Sequence, residues 1–341
     1  MSIRAERWRS SPVARAVTIV GKSHQANAAR EEEALATRSG RGLPTYLGLL
    51  LGVLAVSFAA ILIRKADAPA IVIAAYRMGI AALVIAPTTV AFTRRRPKLR
   101  LQDVLLSLVA AAFLALHFGA WIASLEHTSV ASSVVLVTAS PLMVAIASRV
   151  LLKERLERRV LAGIALGLAG SLVIAVGDLA CGGGDDLLGD GLALLGAVAV
   201  TGYLLIGRKV RPRMPLMPYI SVVYAGSAIL LLAATGVGGL SLTGYSGETY
   251  LFLVLVALVP QVVGHSLLNW TLARVSATLV SVAVMAEPVV STVLALLLLK
   301  EVPPVTSFVG GAVILTGIYL ALRRAPGLSF AARERPPLTP A

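Results

Sequence analysis

The chain has 341 residues, of which 57% are apolar and only 14% charged, against about 25% charged in an ordinary soluble domain; its mean hydropathy is +0.85. That balance excludes a soluble globular protein, and it excludes a disordered one, because disorder requires low hydrophobicity. The net charge of +14, from 31 basic and 17 acidic residues, would suit nucleic acid, but its placement in the tails and in alternate short loops is that of orientation signals for membrane spans, so no nucleic-acid partner is expected.

Residues 1–42 hold eight Arg or Lys and the run Glu31-Glu32-Glu33, with no apolar stretch long enough for a signal-peptide core. They are expected to form a disordered cytosolic tail. Gly21-Lys22-Ser23 matches the end of a phosphate-binding loop, but Ala16 stands where the first glycine of that pattern belongs. From Leu43 onward, apolar segments recur at 43–63, 69–93, 102–124, 128–149, 159–177, 188–208, 216–236, 249–271, 275–298 and 305–323. Each has about the 20 residues that cross a hydrocarbon core. Lipid offers the backbone no hydrogen-bond partners, so such segments cross as helices. The alternating ten-residue segments of a transmembrane barrel are absent.

With the N-terminus inside, 27 of the 31 basic residues fall on one side. The exceptions are Arg64, Lys65 and Lys300 opposite, and Arg77 within a span. The long outer loops 178–190 and 237–248 carry acidic residues and no basic one. Both termini are therefore expected in the cytosol. The one cysteine, Cys181, leaves no internal disulfide and no multi-cysteine metal site.

An internal repeat organises these segments. A shift of 147 residues pairs Leu125 with Leu272, Ala139 with Ala286, Pro141 with Pro288, Lys153-Glu154 with Lys300-Glu301, Gly163 with Gly310 and Gly170 with Gly317. Near the start of each half, a shift of 144 pairs Gly52 with Gly196, Ser57 with Thr201 and Arg64-Lys65 with Arg208-Lys209. The expected fold is an all-α membrane protein of ten transmembrane helices in two five-helix halves, 43–177 and 188–323, joined by an external loop at 178–187 and followed by a cytosolic tail at 324–341. An odd number of crossings per half inverts the second against the first, as in transporters that alternate access around a midplane site.

On these residues the sequence resembles the drug/metabolite transporter superfamily, and within it the EamA-type permeases. The resemblance covers about 43–323 and rests on Ser140-Pro141 and Glu287-Pro288 in spans four and nine, Glu154 and Glu301 closing those spans, the glycine-bearing fifth helix of each half, and Tyr76-Arg77 in span two. It implies a permease that moves amino acids, other small metabolites or drug-like solutes, mostly outward. Lys153 and Lys300 depart from the pattern by standing where the family often has glycine, and the turns there are expected to be altered.

Several residues carry candidate chemistry. Glu287, near the middle of span nine, is either a proton-coupling or cation-binding carboxylate or a neutral group bonding carbonyls freed by Pro288. No Lys or Arg is expected at its depth. Gln261, His265 and Asn269 recur every four residues in span eight and lie on one helical face. His117, Trp121 and Ser124 form a corresponding stripe in span three. The two stripes either face each other across a substrate path or serve as interhelical contacts. With them, Tyr76 and Arg77 complete the substrate-binding candidates. Arg77 is suited to a substrate carboxylate, yet its place within two turns of the helix start favours snorkelling to the outer interface or pairing with Asp67. Pro141 and Pro288 are expected kinks, and Gly163, Gly167, Gly170, Gly310 and Gly317 are small residues at packing spacing.

Gly182-Gly183-Gly184-Asp185 matches an intramembrane protease motif but lies in an outer loop, and no metalloprotease, nucleophile-elbow or kinase pattern occurs. The sequence thus predicts no catalytic residue, cofactor or metal. It predicts a secondary transporter of the cytoplasmic membrane, monomeric or homodimeric, exporting a small metabolite and driven either by the proton gradient or by the substrate gradient itself. A membrane-embedded enzyme or receptor-like scaffold on the same fold is the alternative.

Overall fold

The computed structural model describes residues 43–92, 99–127, 133, 136–137, 139–153, 156–179, 187–299 and 305–322. The expected tails 1–42 and 324–341 lie outside these residues, as do 180–186 of the expected outer loop, its Gly182–Asp185 motif, Glu154 and Glu301. Gly48–Ala341 forms one compact unit, and residues 43–47 belong to a separate one.

The described residues contain helices and no strand. Seven helices are long and apolar enough to cross a membrane: α1 (Leu43–Lys65), α2 (Ala70–Ala91), α3 (Leu101–His127), α6 (Leu187–Val210), α7 (Leu216–Val237), α8 (Gly247–Thr271) and α9 (Ala277–Leu298). Between α3 and α6 lie the shorter apolar α4 (Ser140–Leu151) and the 22-residue α5 (Arg158–Leu179), and α10 (Val305–Leu322) follows α9. The chain is a multi-pass membrane protein. Its outward faces carry residues such as Leu50, Leu83, Val90, Ile229 and Leu297 in exposed positions, which water would penalise and lipid does not.

Local chemistry sets where these helices begin and end. The Glu126 carboxylate accepts the Ala70 N–H at 2.8 Å and caps α2. Ser246 and Ser276 cap α8 and α9, each accepting from the N–H three residues on at 3.1 Å. At the far end of α8, Arg208 donates to Leu272 O at 3.1 Å, Arg211 to Asn269 O at 2.9 Å and Arg274 to Trp270 O at 2.9 Å. These guanidiniums satisfy carbonyls that a helix C-terminus leaves open. Burial lowers the Arg211 group to about 10.

Three helices are interrupted. α1 breaks at Ser57-Phe58, where the Ser57 carbonyl accepts from Ser291 Oγ at 2.8 Å. α8 runs as a π-helix from Ala257 to His265 around Pro260, whose missing N–H breaks the α register. α9 breaks at Met285-Ala286 and resumes at Glu287. Pro288, and likewise Pro141 in α4, therefore sits in the first turn of a helical segment. It starts that segment instead of bending a continuous helix, because a first-turn residue needs no N–H. Lys153 also differs from expectation: at φ 54° it keeps the left-handed turn conformation that glycine adopts freely and that costs a lysine about 1–2 kcal/mol.

The most extensive packing joins α5 with α10, α3 with α6 and α2 with α7. Glycine makes the first of these possible. A Cβ at Gly163 would stand 2.5 Å from the Gly317 carbonyl, one at Gly317 2.5 Å from the Gly163 carbonyl, and one at Gly170 2.5 Å from the Gly310 carbonyl. Gly167 instead faces the Met285 side chain at the break in α9.

Candidate functional site

The interruptions in α1 and α9 and the π stretch of α8 border a cavity of about 80 Å³, room for a few waters or the compact part of a small solute. Helices α1, α2, α3, α4, α6, α8 and α9 all contribute to its wall. Arg77 enters from α2, His117 and Trp121 from α3, Ser140 from α4, Tyr203 from α6, His265 and Asn269 from α8, and Ser281 and Glu287 from α9.

The position of Arg77 corrects the sequence reading. Its side chain neither snorkels nor reaches Asp67; the residue is 1% exposed. Its Nε donates to Gln261 Oε1 at 2.9 Å, and its guanidinium lies 3.9 Å above the Phe118 ring. Both supports come from helices remote in sequence, so distance from the helix start was no guide to depth. The setting of Glu287 differs from expectation as well. It has a basic residue at its own depth, since Arg77 lines the same cavity and the two groups act on each other electrostatically. No ion pair within 4.0 Å joins them among the described residues. Nor is a hydrogen bond from Glu287 to a carbonyl freed by Pro288 present among those residues.

The two polar stripes meet at the cavity through aromatic contacts. His117 stacks parallel to Trp121 with centroids 6.0 Å apart, and Phe118 meets His265 edge-on at 5.3 Å. His117 Nδ1 lies 2.9 Å from the Gly196 carbonyl. A carbonyl only accepts, so Nδ1 carries the proton and Nε2 is left for other partners. Gln261, fully buried, stands behind Arg77 and outside the wall itself, because the π register shifts its angular offset from His265. Asn269 Nδ2 turns back to the His265 carbonyl at 2.8 Å.

Besides Gln261, two further candidates fall outside the cavity wall. Tyr76, one residue from Arg77 and thus about 100° around the helix, donates its hydroxyl to Leu242 O at 2.6 Å and packs edge-on against Tyr250. Ser124 bonds Ser133 Oγ at 2.7 Å. Conversely, Phe118, Tyr203 and Ser281 belong to the wall although nothing in the sequence around them marks them for it. The aromatic pair lies within spans three and six, where an aromatic in an apolar helix carries no signal of which way it faces.

A largely apolar cavity that holds a few polar groups, Arg77 and Glu287 among them, and is bordered by helix breaks, is the architecture of a membrane carrier. The EamA-like transporter family matches the chain twice, over residues 43–176 and 187–323. The chain belongs to that family, and it is a membrane transporter of small molecules, not an enzyme. It is 24% identical to an uncharacterized transporter of Archaeoglobus fulgidus over 63% of this chain and 74% of that one. It is 27% identical to a probable terminal-alkyne amino-acid exporter of Streptantibioticus cattleyicolor over 59% of this chain and 67% of that one. A solved crystal structure of another protein shares the fold with a TM-score of 0.70, at 21% identity, over 82% of this chain and 96% of its own.

Proposed function

We propose that this protein is a secondary transporter of the cytoplasmic membrane that exports a small metabolite, an amino acid or related compound, by alternating access. On this reading ten helices cross the membrane as two inverted five-helix halves with both termini in the cytosol, the cavity is the transport site, and Glu287 is the proton-coupling group. The observation that carries the reading is the cavity wall, to which α1–α4 and α6, α8 and α9 all contribute and in which Arg77 and Glu287 stand together. A basic and an acidic group held inside a membrane protein are expensive and are kept for substrate or ion handling.

Helix packing supports the inverted halves. A shift of five helices maps the contacts of α2 with α7, α4 with α9 and α5 with α10 onto themselves, and those of α3 with α6 onto α8 with α1. The amino-acid exporter of Streptantibioticus cattleyicolor among the relatives supports an amino-acid-like cargo.

Purified full-length protein in proteoliposomes with an imposed pH difference tests the function. L-propargylglycine and the common L-amino acids serve as cargo, with protein-free vesicles as control. The reading requires protein-dependent accumulation of an unaltered solute. Chemical conversion of the solute, or no flux of any member of the panel, overturns it.

A further inference from the structure

The polar groups around the cavity are unevenly matched. Arg77 Nη1, Trp121 Nε1 and Gln261 Nε2 are buried nitrogens that find no acceptor among the described residues. Arg77 and Trp121 line the cavity, and Gln261 is bonded directly to Arg77. Buried donors are nearly always paired in folded proteins, so the two on the cavity wall, Arg77 Nη1 and Trp121 Nε1, mark a surface made for a guest that brings acceptors, beside one unmatched acceptor of the wall, Asn269 Oδ1. The guanidinium is also pre-organised: the Gln261 bond fixes its Nε edge and the Phe118 ring at 3.9 Å fixes its plane. A guanidinium held in this way spends little entropy on pairing with a planar anion.

We propose that Arg77 and Trp121 form the seat of a carboxylate carried by the substrate, and that Gln261 is the positioning residue that holds the guanidinium for it. This deepens the transporter reading and rests on the cavity being its substrate site. Arg77 supplies the charge and a two-donor edge suited to carboxylate geometry. Trp121 adds a single neutral N–H. Glu287 stands across the same cavity without a direct ion pair to Arg77, so the guanidinium is open to the incoming group. The cargo carboxylate and Glu287 then share one positive charge, and neutral analogues of the cargo lose the contact that anchors it.

Equilibrium binding to the purified full-length protein, measured by titration calorimetry without any flux, tests the seat. The probes are L-propargylglycine and the common L-amino acids, each compared with its methyl ester, which keeps the side chain and amine but removes the anion. The acid that binds tightest is expected to outbind its ester by about 10- to 100-fold, the worth of a charged hydrogen bond. Trp121→Phe, which deletes one N–H and keeps an aromatic ring, is expected to weaken the acid by about 3- to 10-fold and leave the ester unchanged. Gln261→Leu is expected to reduce the preference for acid over ester even where the variant's melting temperature matches wild type. Three results each overturn the seat: an ester that binds as well as its acid, a Trp121→Phe variant that binds the acid like wild type, and no binding of any acid up to about 50 mM. Flux without preference for the acid would sink the seat and leave the transporter standing; acid-selective binding without flux would do the reverse.

Discussion

Arg77 and Glu287 illustrate how much a residue's meaning depends on partners that the local sequence does not name. Arg77 is the eighth residue of α2, a position from which a long side chain reaches an interface. It turns inward because Phe118 offers a ring face and Gln261 an acceptor. Glu287 in turn shares its cavity with a cation. Replacing Glu287 by Gln keeps shape and most hydrogen-bonding capacity while removing the charge. The proposed coupling requires that Glu287→Gln abolish pH-driven accumulation in proteoliposomes and keep solute exchange at zero pH difference. A Gln variant that still concentrates solute under a pH difference would assign the carboxylate a structural part and move the search for coupling to His265 or His117.

At the scale of the helix, close approach is governed by glycine, and the same substitution has opposite signs at different places. Between α5 and α10 no methyl fits: Gly317→Ala would set a Cβ 2.5 Å from the Gly163 carbonyl. Overpacking of that kind costs about 1–3 kcal/mol, so thermal melts in detergent should show a clear loss of stability. A methyl added at Gly79, inside α2, would meet nothing within 4 Å. There the helical preference of alanine is worth up to about 1 kcal/mol, and Gly79→Ala should raise the melting temperature. Equal effects at both sites would refute the close approach of α5 and α10. The broken helices obey a related logic. Carbonyls released at an interruption must find partners, as Ser57 O does in Ser291, and irregular backbone is tolerated at membrane depth where it borders a cavity.

For the whole molecule, the described contacts sort the helix ends into two groups. One holds the start of α3, the end of α6, the start of α7 and the end of α8, tied by Arg213 to Asp103 at 2.7 Å and by Arg208 and Arg211 to α8. The other holds the start of α2, the end of α3 and the loop before α8, tied by Glu126 to Ala70 and by Tyr76 to Leu242. The arginine-rich group is the cytosolic one if the positive-inside rule governs this chain. On a Cys181→Ser background, a cysteine at Thr243 should react with an impermeant reagent in intact cells, and one at Arg100 only after permeabilisation. The opposite pattern would reverse the proposed orientation.

The sequence alone was enough for the class of molecule, an all-helical multi-pass membrane transporter. Segment length against bilayer thickness, the placement of Arg and Lys, and the internal repeat that the family matches twice are one-dimensional quantities. The membrane enforces them because it forbids unsatisfied backbone and charged loops on the wrong side. That His117, Trp121, His265 and Asn269 turn inward to the cavity wall was legible for the same reason, since polar side chains in an apolar helix turn away from lipid, whereas Gln261 and Ser124 of the same stripes stand outside that wall. The tertiary structure decided the rest: Arg77 inside with Gln261 at its back, Tyr76 turned to the loop before α8, Tyr203 in the wall, and Pro288 at the start of a helical segment. Each of these depends on which remote helix supplies a partner within about 3 Å, and packing, not periodicity, brings those helices together.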